Sequence, residues 1–168
     1  MTGAQLPPRK VDVITSTRTV HRYPRIDEVR RIDLPHHDRD DGRLVVIEQG
    51  VQVPFDIQRV FTIVAPPGAK RGDHAHRRCA QLLLCVRGAV DIDCNDAREH
   101  RIFTLDEEIQ ALLVPPMIWH TVNFRKVDSA IIVLCDRHYE SDDYIRDYAE
   151  FASIHNAQEN QEDQENQG

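Results

Sequence analysis

From Arg43 onward the chain repeats one pattern, a short apolar run closed by Gly, Pro, Asn or Asp. The runs are "RLVVIEQ", "IQRVFTIVA", "AQLLLCVRG", "AVDIDCN", "RIFTL", "IQALLVP", "WHTVNF" and "SAIIVLCD". Each is rich in Val, Ile, Leu or Phe and too short for a helix, so each predicts a strand. Their spacing of about ten residues argues an all-β sandwich or barrel rather than alternating βαβ units. Upstream, between Val11 and Leu34, the pattern is mixed: "VDVIT" is strand-like, and "IDEVRRIDL" places charges between apolar positions. "HHDRDDG" reads as a turn or loop by composition. Helix enters late, in "SDDYIRDYAEFASIH". Ser141 is its expected N-cap, Asp142 and Asp143 fill its first turn, and Tyr144, Ile145, Tyr148 and Phe151 make one apolar stripe. Such a helix would lie as a lid on the β structure.

The ends differ in composition. Residues 156–168, "NAQENQEDQENQG", hold no large apolar side chain and cannot offset their chain entropy by burial, so a disordered tail is expected there. Residues 1–10 are expected to be loose, leaving one domain over 11–155. Of the net charge of -7, more than half falls in the tail, so the folded part is only mildly acidic and offers no nucleic-acid surface. No apolar run is long enough to span a bilayer, and the opening residues lack a signal-peptide core, so the cytoplasm is the expected location. Cys79, Cys85, Cys94 and Cys135 form no C-x-x-C pair and read as buried, reduced thiols.

The candidate chemistry lies in "KRGDHAHRRCAQLLLCVRG". His74 and His76 stand at i and i+2 of a strand and so share a face. Gly68, His74, His76, Gln81 and Gly88 follow a spacing that resembles the first cupin motif, with Gln81 in the place of its glutamate. Pro115 and His120 in "PPMIWHTVN" resemble the second, with Met117 where glycine is usual. The resemblance implies a double-stranded β-helix (a cupin or jelly-roll barrel), closed here by a short C-terminal helix, with the histidines of both motifs facing one cavity.

Three longer stretches, "RVFTIVAPPGAKRGDHAHRRCAQLLLCVRGAVDID", "VPPMIWH" and "DRHYESDDYIRDYAEF", look like the dTDP-sugar 3,4-ketoisomerases. The likeness covers about residues 40–152. It implies conversion of a dTDP-4-oxo-6-deoxyhexose to its 3-oxo isomer by histidine-mediated proton transfer through an enediol, without metal or other cofactor, in a homodimer whose N-terminal strands ("VDVITS" here) complete the neighbour's sheet. It gives His74 as the base and His76 as shuttle or electrophile. Arg71 would clamp the pyrophosphate, while Arg59, Gln81, Trp119 and His120 would contact substrate. Proton transfer by histidine suits this reaction, because imidazole titrates near neutrality.

Phe61 and Thr62 depart from the family, standing where tyrosines are usual. Either Tyr23, Tyr139 or Tyr144 replaces them in space, or the activity differs. Two other readings stay open. One is a metal cupin ligated by His74, His76, Gln81 and His120, disfavoured because an amide is a weaker ligand than a carboxylate. The other is a catalytically silent nucleotide-sugar binder. His36, His37, His100, His138 and His155 have no partner spacing and are expected at the surface.

Overall fold

The computed structural model describes residues 22–106 and 110–165. The expected loose N-terminus at 1–10 and the "VDVITS" strand lie outside the described residues. Twelve strands are arranged in antiparallel pairs: β1 (Arg30–Asp33), β2 (His36–Arg39), β3 (Gly42–Val45), β4 (Arg59–Ala65), β5 (Lys70–His76), β6 (Gln81–Arg87), β7 (Ala89–Asn95), β8 (His100–Asp106), β9 (Gln110–Val114), β10 (Trp119–Phe124), β11 (Ser129–Cys135) and β12 (Tyr144–Ile145). One helix, α1 (Tyr148–Glu165), follows. One sheet has the order β1-β9-β6-β11-β4 and the second β12-β5-β10-β7-β8, with β2 and β3 as a separate hairpin. The all-β, jelly-roll expectation is met, as two facing sheets rather than one continuous barrel. No helix among the described residues is long and apolar enough to cross a membrane.

Every second residue of the facing strands enters one core. Leu83 and Cys85 of β6, Ile131 and Val133 of β11, Val90 and Ile92 of β7, and Val122 and Phe124 of β10 are all buried there. The run "QLLLCV" does not alternate, because β6 is buried on both sides. Its other face, Leu82 and Leu84, packs with Leu113 and Leu134 beneath Val53, Phe55 and Ile57. Full burial of each leucine contributes roughly 1.5–3 kcal/mol before entropy is subtracted. The "HHDR" part of the stretch read as a turn is instead β2 and Gly42 opens β3, so only Asp40 and Asp41 turn.

The C-terminal segment differs from the sequence reading at its start. Ser141 opens a single 3-10 turn, Ser141–Asp143, and Tyr144–Ile145 then form β12 against His76 and Ala75 of β5. A helix across this stretch would leave that sheet edge without partners. The helix begins at Tyr148, where Asp147 Oδ1 accepts from the Ala149 backbone N–H at 2.8 Å. Its backbone stays helical past Asn156 to Glu165. Glu, Gln and Ala are good helix formers, and extending an existing helix needs no new nucleus. His155, expected at the surface, is buried, and its Nε2 donates to the Met117 carbonyl at 3.0 Å. Met117 has φ +59° where the motif usually has glycine. Its backbone N–H reaches the His76 carbonyl at 2.6 Å, so the left-handed turn is held from both sides.

Candidate active site

The site is built on the pairing of β5 with β10, where His74 lies directly opposite His120. Between them the register slips: His120 pairs His74, but Thr121 pairs Gly72, leaving Asp73 as the extra residue of a bulge. Gly72 and Asp73 both have positive φ, +83° and +58°. A Cβ at Gly72 would stand 2.9 Å from the His120 carbonyl oxygen, so glycine is required on steric grounds too. Simple alternation would turn Arg71 away from His74. The bulge reverses the parity, so that Arg71 pairs with the inward Val122 and joins the histidine face.

A cavity of about 330 Å³ opens on this face, lined by His74, His120, Gln81, Tyr144, Arg71, Arg146, Lys70 and Phe61, among others. A larger hollow of about 640 Å³ under the β2–β3 hairpin contains none of the motif histidines. The chemistry of the lining, not size, makes the smaller cavity the candidate site.

Behind His74 runs a chain of hydrogen bonds. Asp143 Oδ2 lies 2.7 Å from His76 Nδ1, and both side chains are almost fully buried. A carboxylate accepts only, so His76 carries its proton on Nδ1 and presents a bare Nε2. That nitrogen accepts from Gln81 Nε2 at 3.2 Å and faces His74 Nε2 at 3.2 Å. His74 therefore donates from Nε2, which leaves its Nδ1 as a lone pair. Nδ1 of His74 and of His120 are buried, and the two rings lie against the Gly72 and Ile118 backbone respectively. Asp143 itself is anchored through Oδ1 by the Arg78 backbone N–H at 2.7 Å.

All three histidines are held neutral. Burial lowers His76 to about 4 against the opposing bond from Asp143. Burial, then the neighbouring His74 and His76, lower His120 to about 3. His74 is lowered chiefly by burial as well, with the Arg146 charge adding to the effect.

Of the residues singled out from the sequence, His74, His120, Gln81 and Arg71 line the cavity, and His76 stands directly behind them. Gln81 also bonds Cys135 Sγ at 3.6 Å, so its amide bridges His76 to β11. Trp119 does not face the cavity. It neighbours His120 on β10 and so points to the opposite side, where it packs on Tyr148 and Phe151 of α1 and bonds Asp73 at 3.3 Å. Arg59 is also outside the lining. Its guanidinium lies over the rings of Phe61 and Tyr139 and donates to Cys135 at 3.4 Å.

The tyrosine question has a spatial answer. Phe61 faces the cavity and Thr62 is exposed on the other side of β4. Tyr144 enters from β12, its ring 4.9 Å from that of His74 and 4.4 Å from that of His76. Tyr139 packs tilted against Tyr144, and Tyr23 packs on His155 away from the cavity. Sequence reasoning missed Asp143 and Arg146 because both fell inside a stretch read as helix. Arg146 lines the cavity and covers the Tyr144 ring at 4.4 Å.

Residues 27–156 match the family model "FdtA: WxcM-like, C-terminal". A curated relative, the TDP-4-oxo-6-deoxy-alpha-D-glucose-3,4-oxoisomerase of Aneurinibacillus thermoaerophilus, is 36% identical over 111 residues, covering 66% of this chain and 80% of the relative. The fold is similar to that of a 3,4-ketoisomerase from Helicobacter canadensis, with a TM-score of 0.73 and 27% identity over 77% of this chain and 98% of that one. It is similar also to a histidine-to-asparagine variant of the 3,4-ketoisomerase QdtA from Thermoanaerobacterium thermosaccharolyticum in complex with TDP-4-keto-6-deoxyglucose. There the TM-score is 0.72, with 28% identity over 75% of this chain and 92% of that one. With the match extending from the strands before the histidine pair through the start of α1, this chain belongs to the FdtA family of WxcM-like C-terminal domains.

Proposed function

We propose that this chain is a sugar 3,4-ketoisomerase that converts a dTDP-4-oxo-6-deoxyhexose to its 3-oxo isomer. The observation that carries the reading is the Asp143–His76–His74 chain, which brings His74 to the cavity lining. The hydrogen on C3 is acidic because it is α to the C4 ketone. His74 takes it, the C4 oxygen gains a proton, and a 3,4-enediol forms. Loss of the C3 hydroxyl proton and return of a proton to C4 then give the 3-oxo sugar. His76 shares the proton with His74 through their facing Nε2 atoms, and Asp143 holds His76 in the tautomer that permits this. Tyr144 and His120 stand where they can serve the oxygens. Arg71, Lys70 and Arg146 supply cationic donors suited to a diphosphate.

No metal is assigned to the reaction. Among the described residues, His74, His76 and His120 do not bring one nitrogen each within 4.8 Å of the others. Tyr144, which lines the cavity beside His74, supports the enzyme over the silent binder. We further propose a homodimer. Val60 and Val64 lie exposed on β4, an edge strand, and a second copy would cover them. All four cysteines are free thiols, as a reducing cytoplasm requires. The test is direct: incubation with dTDP-4-oxo-6-deoxyglucose, followed by NMR for the 3-oxo isomer. An unchanged spectrum, with TDP still bound, would replace the enzyme by the binder.

A further inference from the structure

Three buried donors meet at the inner end of the histidine chain: a nitrogen of His76, Cys79 Sγ and a carboxylate oxygen of Asp143 lie within 4.8 Å of one another. No other group of three His, Cys, Asp or Glu donors among the described residues is this close. None of the three is exposed, so the cluster is not a patch of solvated acids. Cys79 takes no part in the proposed reaction, and its thiol donates to the carbonyl of its neighbour Ala80 at 3.4 Å. Tetrahedral zinc, with bonds of about 2.0–2.3 Å, spaces its ligand atoms roughly 3.3–3.7 Å apart, so small side-chain movements suffice. Oδ1 of Asp143 is already fixed by the Arg78 backbone, which leaves Oδ2 to turn from His76 to an ion.

We propose that His76, Cys79 and Asp143 form a zinc-binding site through which a thiophilic divalent cation inhibits the enzyme. The ion binds His76 Nδ1, Asp143 Oδ2 and the Cys79 thiolate, with water in the fourth position. The thiol proton leaves to solvent, and the His76 proton moves from Nδ1 to Nε2. That second transfer is the inhibitory event. Nε2 then points a hydrogen at His74 and Gln81 where it had accepted, and His74 can no longer share a proton with it. The binding claim stands on the donor geometry alone, whereas the inhibition rests on the ketoisomerase reading above.

Cobalt(II) and zinc chloride titrations of untagged protein test it. Cobalt should give a thiolate-to-metal charge-transfer band at one equivalent per chain, and zinc should displace it. Cys79→Ser should lose the band and bind zinc more than about 100-fold more weakly, beyond what loss of an outer-shell partner costs. Cys135→Ser should keep the band. In the isomerase assay zinc should inhibit the wild type, while Cys79→Ser should keep its basal rate and lose zinc sensitivity. A band that survives in Cys79→Ser, or its absence in the wild type, overturns the site. Zinc bound without the band would lie elsewhere, for instance on the exposed His100–Asp93 pair, and overturns it equally. A wild type that shows the band but no isomerase activity would overturn the functional reading and leave the site standing.

Discussion

Asp143 and His76 are separated by 67 residues in sequence and by 2.7 Å in space, and their bond decides which His76 nitrogen carries the proton. Both oxygens of Asp143 are used as acceptors, one for His76 and one for the Arg78 backbone. An asparagine would have to aim its NH₂ at one of those two donors. Asp143→Asn should therefore lower kcat by about 10²-fold or more through a misplaced tautomer, with TDP affinity unchanged. A positioning role also predicts an altered pH–rate profile. A rate within a few-fold of wild type, with the same profile, would mean that the tautomer is set by other groups.

The histidine pKa values carry a sign. Burial lowers His76 to about 4 and His120 to about 3 in the folded protein, and lowers His74 as well. In the unfolded chain each titrates near 6.5. Between pH 6.5 and about 4 the unfolded state therefore binds more protons than the folded one, and stability falls as pH falls. Urea midpoints should drop from pH 7 to pH 5, and His120→Gln should reduce that drop. A midpoint that rises or stays level over this interval would contradict neutral buried imidazoles.

Gly72 holds the bulge that carries Arg71 onto the face of His74. At φ +83°, with the His120 carbonyl oxygen 2.9 Å from where a Cβ would stand, alanine would be both strained and crowded. Gly72→Ala should destabilise by about 1–3 kcal/mol and should weaken TDP binding, because Arg71 loses its orientation. Chemical denaturation and TDP titration measure the two effects. Wild-type values in both would show that the bulge is not needed.

Much of this was legible in the sequence, for physical reasons that differ by residue. His74, His76 and His120 could be read because strand parity and motif spacing fix a side chain's face. Trp119, given as a substrate contact by the resemblance, packs on α1 instead, because a residue adjacent to an inward histidine must face outward. Asp143 was hidden because two acids after a serine carry the pattern of a helix start. The fold of Tyr144–Ile145 as a strand depends on an open edge of β5, a tertiary fact that no local window contains. His155 was hidden similarly, since its burial depends on α1 docking over Met117.

The oligomeric state is open to a simple check. Val60 and Val64 on the β4 edge are 56% and 68% exposed in the single chain. Light scattering at micromolar concentration should give the mass of two chains. Val64→Lys should shift the population toward one chain. A wild-type protein that is monomeric under these conditions would contradict the pairing.

The most direct measurement concerns the proton transfer proposed for His74. In D₂O, dTDP-4-oxo-6-deoxyglucose incubated with the protein should gain deuterium on the ring at C3 or C4. His74→Asn should abolish the exchange and leave TDP binding nearly intact, whereas Arg71→Ala should weaken binding more than the chemical step at saturating substrate. A general base contributes about 10²–10⁴-fold. Exchange in His74→Asn within a few-fold of wild type would contradict the assignment of His74 as the base.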